Sequence, residues 1–168
     1  MNSSLPTGKR TGFYPASASD YLAPLQLLKG WVDHMIFCDL KLVPSNRLEI
    51  QELRKKIELQ SLPEASFLLG DALSALEFIK PVDVFFLRRD SNGEGGSGLH
   101  LLHADRIRLV LDVIKSGGLL ITDKANGFLW LTRMLSGKSP NYPVGDRNLF
   151  LSSTQPWSDH NLYSVTVE

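Results

Sequence analysis

The run Val82-Asp83-Val84-Phe85-Phe86-Leu87 is apolar at every position except Asp83. A strand with one wet face alternates polar and apolar residues, whereas a strand apolar almost throughout needs cover on both faces. That cover is the arrangement of a central strand in a parallel sheet, with helices packed above and below. The remainder of the chain has to supply those helices and the neighbouring strands.

It does so by alternation. Gly12-Phe13-Tyr14, His34 to Cys38, Ala65 to Leu69 and Leu119 to Thr122 are further short apolar runs, and helical patterns separate them. Tyr21 to Lys29 reads as a short helix with Pro24 close to its start, where proline is tolerated. Asn46 is placed to cap a helix through Leu59, on which Ile50, Leu53 and Ile57 form one apolar face. Ala72, Leu76 and Ile79 suggest a brief helix stopped by Lys80-Pro81. Ile107, Val110, Leu111 and Ile114 give the i, i+3, i+4, i+7 stripe of another, ended by Ser116-Gly117-Gly118. Asn126 caps a last helix to Leu135, and Ser136 to Arg147, rich in Gly and Pro, reads as a loop. Phe150 to Ser153 and Leu162 to Val167 form a final antiparallel pair joined at Trp157-Ser158-Asp159-His160. The expectation is an α/β protein: a single Rossmann-like domain over residues 11–168, preceded by a flexible leader over 1–10. Its sheet has seven strands, mostly parallel, with helices on both faces and a terminal antiparallel strand.

Composition narrows the function classes. Lys plus Arg and Asp plus Glu number 18 each, so there is no basic excess of the kind that phosphate binding favours, and nucleic acid is not a favoured partner. The lone cysteine, Cys38, cannot form an internal disulfide or by itself build a thiolate metal site, which suits a reducing cytoplasm. No segment reaches the length of an apolar membrane span.

Several phrases resemble the class I S-adenosylmethionine-dependent methyltransferases. Val113 to Asp123 looks like that family's helix, Gly-Gly turn and fifth strand. Pro81-Val82-Asp83-Val84-Phe85-Phe86 resembles its Asp-initiated fourth strand. Gly70-Asp71-Ala72 is similar to its acidic residue after the third strand, and Asp39 sits where an acid follows the second. The resemblance covers roughly residues 11 to 167 and rests on element order more than on any one motif. It implies S-adenosylmethionine as cofactor. Tyr14, Pro15, Ala16, Ser17 and Ala18 would lie along the methionine part, Asp39 at the ribose, and Gly70, Asp71 and Ala72 at the base, with Leu40 a further cofactor-binding residue. Asp39 lies about 20 residues beyond the first turn, the spacing such a role needs, and an ionised carboxylate offers acceptors to both ribose hydroxyls. The chain departs from the family at the first turn: Tyr14 holds the acidic position, and Ala16 and Ala18 stand where glycines are expected.

Each candidate has a structural alternative. Asp39 could be a strand-end carboxylate holding a loop, and Asp71 an ordinary helix N-cap. Asp20 could hold the cofactor ammonium group in place of the missing acid, but a helix cap is the favoured reading. Arg88 and Arg89 could bind an anionic substrate or pair on the surface with Asp90 and Glu94, the latter being favoured. Arg88, Asp90 and His103 are the candidates for chemistry. His100 and His103 could include a general base at the mouth of the site or be structural histidines. The loop from Asn92 to Gly98 could be a lid or a plain connection, and no metal site is expected.

Three functions follow. The leading one is a divergent S-adenosylmethionine-binding protein transferring methyl groups to an unidentified acceptor. The alternatives are an inactive methyltransferase-like module that binds a protein partner, and a Rossmann domain for another nucleotide such as NAD.

Overall fold

The computed structural model describes residues 8–40, 47–89, 97–124 and 129–168. Its strands are β1 (Thr11–Pro15), β2 (His34–Asp39), β3 (Glu64–Leu69), β4 (Val82–Leu87), β5 (Ile114–Asp123), β6 (Asn141–Val144), β7 (Arg147–Leu151) and β8 (Leu162–Val167). The helices are α1 (Leu22–Leu27), α2 (Arg47–Gln60), α3 (Ala72–Phe78), α4 (Ile107–Asp112) and α5 (Leu129–Leu135). The strands form one sheet in the order β3-β2-β1-β4-β5-β8-β7-β6. Pairings among β1 to β5 are parallel, while β8 runs antiparallel to both β5 and β7.

The sheet therefore has eight strands where the sequence reading expects seven. The additional strand is β6, inside the stretch read as a loop on its Gly and Pro content. It pairs antiparallel with β7, opposite Pro143 at Asn148, and forms the edge of the sheet. Proline lacks an N–H but is compatible with an edge strand, where one side of the backbone has no ladder to complete. Composition alone conceals such a strand.

β4 is central and, as its apolar run requires, buried at every position but Asp83. Phe13, Phe37, Phe85, Phe86 and Leu120 have no exposure at all. Phe13 meets Phe85 edge-on at 5.7 Å between ring centroids, and Phe37 stacks on Phe67 at the same separation. Connections run one way from β1 to β3 and the other way from β4 to β5. Right-handed crossovers therefore place α1 and α2 on one face and α4 on the other. The direction reverses between β1 and β4, which leaves a crevice outside their carboxyl ends.

α4 is shorter than its stripe suggests. Ile107, Val110 and Leu111 are buried in the helix, but Ile114 belongs to β5, where it pairs with Val82. The register between β4 and β5 then shifts, and the two glycines lie in that irregularity within β5 rather than at a helix end. Gly117 has φ +77°, and a Cβ on Gly118 would lie 2.8 Å from the Lys115 carbonyl oxygen and 3.0 Å from that of Asp83. Glycine is required at each, for conformation at the first and for space at the second.

Arg147 ties the C-terminal strands to this region, its Nη1 and Nη2 each donating at 3.0 Å to the carbonyls of Leu111 and Ile114. The tryptophans serve as packing anchors. Trp157 Nε1 donates to the Leu27 carbonyl at 2.8 Å, Trp130 Nε1 to that of Leu102 at 3.1 Å, and Trp31 lies against Trp157. No helix among the described residues is long and apolar enough to cross a membrane.

Candidate functional site

The crevice at the strand reversal opens into a cavity of about 590 Å³, within the range of about 300–1,000 Å³ typical of small-molecule sites. The turn after β1 forms one wall with Ala16 to Asp20, and Asp39 and Leu40 come from the end of β2. Gly70, Asp71 and Ala72 follow β3, while Arg88, Arg89, Ser97 and Leu99 follow β4. Residues far apart in sequence converge here because every parallel strand ends on the same side of the sheet.

The first turn is built without glycine. Ala16 (φ 52°) and Ala18 (φ 47°) both adopt the left-handed conformation, which disfavours an L-residue by roughly 1–2 kcal/mol. Hydrogen bonds to the end of β2 hold the turn in place. Ser17 N donates to the Cys38 carbonyl at 3.1 Å, and Ala18 N to Asp39 Oδ2 at 2.8 Å. Asp39 thus acts as a strand-end carboxylate that holds a loop while also lining the cavity. Ser17 is buried, and its Oγ has no hydrogen-bond partner among the described residues. Pro15 lies within β1 opposite Cys38 and is not part of the lining. Burial raises the Cys38 thiol to about 11, so it stays protonated.

Asp20 is not the cap of α1. Tyr21 occupies the N-cap position with no side-chain cap bond, because the Asp20 carboxylate faces β4 instead. Arg88 Nε donates to Asp20 Oδ2 at 2.6 Å and Arg88 Nη2 donates to Asp20 Oδ1. Tyr14 Oη donates to Asp20 Oδ2 at 3.0 Å. Burial first, and then the adjacent Asp20 charge, push the Tyr14 phenol well above its ordinary range, so it remains a proton donor. Burial opposes the Arg88 charge, but the bonds to Asp20 outweigh it and keep the guanidinium firmly protonated. The surface pairing expected for Arg88 is therefore replaced by a part-buried ion pair in the cavity wall. Two unlike charges distant in sequence left no signal for it.

Asp71 caps α3, accepting from Ser74 N at 2.8 Å and Ser74 Oγ at 2.9 Å. Those bonds hold its carboxyl below the usual range. His100 and His103 lie outside this cavity. Their rings meet edge-on at 4.8 Å beside a second cavity of about 280 Å³ that Asp105 and Arg106 also line. They precede α4 rather than riding on it, and His100 has φ 49°. Asp90, Glu94 and the caps Asn46 and Asn126 lie outside the described residues, as does most of the Asn92 to Gly98 loop. Ser19, Ser97 and Leu99 line the main cavity without having been singled out from sequence. Small or apolar loop residues carry no pattern that marks them.

The fold is similar to that of solved structures. A protein of Streptococcus mutans assigned as a methyltransferase and solved in complex with SAH superposes with TM-score 0.50. It shares 10% identity over 95% of this chain and 89% of its own. A methyltransferase homologue from Pyrococcus horikoshii also reaches TM-score 0.50, at 14% identity, over 95% of this chain and 61% of its own. The chain has a methyltransferase-like Rossmann fold. At these identities the likeness establishes the fold alone. No protein-family model matches the sequence, and no curated protein matches it.

Proposed function

We propose that this chain binds S-adenosylmethionine or a closely related adenosyl ligand in the cavity outside β1, β2 and β3, and serves as a divergent methyltransferase. The observation that carries the reading is the convergence of the first turn, Asp39 and Gly70-Asp71-Ala72 on one cavity at the strand reversal, the place where open α/β sheets take their ligands.

The lining suits such a ligand in chemistry as well as in size. Asp39 supplies carboxylate acceptors for a pair of ribose hydroxyls. Leu40, 68% exposed, presents an apolar surface to a planar base, and Gly70 and Ala72 leave room beside Asp71. The Asp20–Arg88 pair is complementary to a zwitterion: an α-ammonium group shares Asp20, and an α-carboxylate shares Arg88. The chemistry such a ligand brings is an activated methyl group open to in-line displacement. The protein's contribution to that reaction is orientation and exclusion of water. The acceptor approaches past the β4 exit, between Arg88, Arg89 and Leu99. A reducing cytoplasm, as the lone buried Cys38 suggests, is the compartment proposed.

Calorimetric titration with S-adenosylmethionine and S-adenosylhomocysteine tests the reading. One saturable site is expected, weakened about tenfold by Asp39→Asn, which keeps the acceptor for Ala18 N but loses the charge. Absence of heat from folded protein at millimolar ligand would overturn it. That result would favour the second reading, an interaction module without cofactor, which the engagement of both Asp20 oxygens by Arg88 supports.

A further inference from the structure

The charged groups of the main cavity are sorted by strand. Its acidic side lies at the ends of β2 and β3, with Asp39 and Asp71, and its basic side at the end of β4, with Arg88 and Arg89. The two arginines are not equivalent. Arg88 is matched by Asp20. Among the described residues the ion pairs are Lys9–Glu64, Arg10–Asp33, Arg88–Asp20 and Lys115–Asp83, and Arg89 takes part in none. Arg89 is exposed and lines the cavity, with no carboxylate among the described residues paired to its side chain.

The backbone at Arg89 is also held in an unfavourable state. Its φ is +57°, a conformation that persists in a non-glycine residue only where the surroundings over-determine it. Two hydrogen bonds do so. Arg89 N donates to Asp123 Oδ2 at 3.0 Å, from the end of β5, and the Arg89 carbonyl accepts from Ser97 N at 2.8 Å. Ser97 Oγ in turn accepts from Leu99 N at 3.1 Å. Ser97 is thereby held beside Arg89, and both line the same cavity as Leu99.

Resting on the adenosyl-ligand reading, we propose that Arg89 is the anchor for an anionic second substrate, a small molecule carrying a carboxylate or phosphate group, at the β4 side of the cavity. A planar guanidinium offers paired donors to either group. Asp20 already balances Arg88, so among the described residues Arg89 is the cavity cation outside any ion pair. A neutral or cationic acceptor leaves that charge unmatched beside the bound ligand.

The test is NMR of the arginine Nε–Hε groups during titration with sodium phosphate and with sodium acetate at constant ionic strength. It is run on free protein and on protein saturated with S-adenosylhomocysteine. Saturable shifts of the Arg89 resonance are expected in the loaded protein. Dissociation constants should rise about tenfold in Arg89→Gln and less in Arg89→Lys, with none in the exposed-helix control Arg54→Gln. Tighter phosphate assigns a phosphorylated substrate and tighter acetate a carboxylic acid. Anion binding unchanged by Arg89→Gln in a folded variant overturns the proposal. So does competition between phosphate and S-adenosylhomocysteine, since the anion then occupies the ligand's own carboxylate position. Should S-adenosylhomocysteine fail to bind while the free protein still takes up phosphate through Arg89, the adenosyl reading falls and the anion site remains.

Discussion

Arg88 and Asp20 form a two-point ion pair that bridges the end of β4 and the turn leaving β1, across the line where the sheet reverses its order. Their side chains are 21% and 24% exposed, so solvent screens the pair only in part. Removing either partner leaves the other poorly solvated. Asp20→Asn or Arg88→Met is expected to lower stability by about 2 kcal/mol, and the double variant by less than the sum. Arg88→Lys should not restore the loss, because an ammonium cannot reproduce the fork. Denaturant unfolding of the wild type, the two single variants and the double variant measures the coupling, and strict additivity would contradict it.

The alanines of the first turn carry strain that glycine would relieve. Ala16→Gly removes the left-handed penalty at φ 52° but adds freedom to the unfolded chain, for a net gain of roughly 0.5–1 kcal/mol. Ala16→Val, β-branched, should be destabilising. Thermal melts that rank Val, Ala and Gly in the reverse order would contradict the backbone account.

Arg147 should matter for folding and not for ligand. Its guanidinium donates to carbonyls at the end of α4 and the start of β5 and so joins the two elements to β7. Arg147→Ala is expected to cost about 2 kcal/mol, read by urea unfolding, while S-adenosylhomocysteine affinity stays within twofold.

His34 provides a pH signature. Burial, and then the positive charge of Lys9, hold its imidazole below the usual histidine value, and its Nε2 lies 2.9 Å from Ser66 Oγ. The unfolded chain therefore takes up a proton here more readily than the folded one. This contribution is complete above the ordinary histidine pKa of about 6.5 and is lost as pH falls below it, levelling off beneath the folded value. The His34 ring resonance should titrate below 6.5, and His34→Gln should flatten that part of the stability profile.

What was legible in the sequence divides along a physical line. Periodicity and burial act locally, so Val82 to Leu87 could be read as a central strand to the residue. The ends of β2 and β3 likewise point to Asp39 and Asp71. Elements whose character depends on neighbours were less visible. β6 is a strand only because β7 pairs with it, and Ile114 continues a helical stripe yet joins β5. Asp20 has a capping residue's position but finds a stronger partner in Arg88, which no local pattern encodes.

The central claim is tested most directly by a crystal structure of the protein grown with saturating S-adenosylhomocysteine. The expected result is the adenosyl group in the main cavity, with its ribose hydroxyls on Asp39 and its base against Leu40 and Gly70 to Ala72. A cavity left empty at millimolar ligand, or a ligand bound away from Asp39, would contradict it.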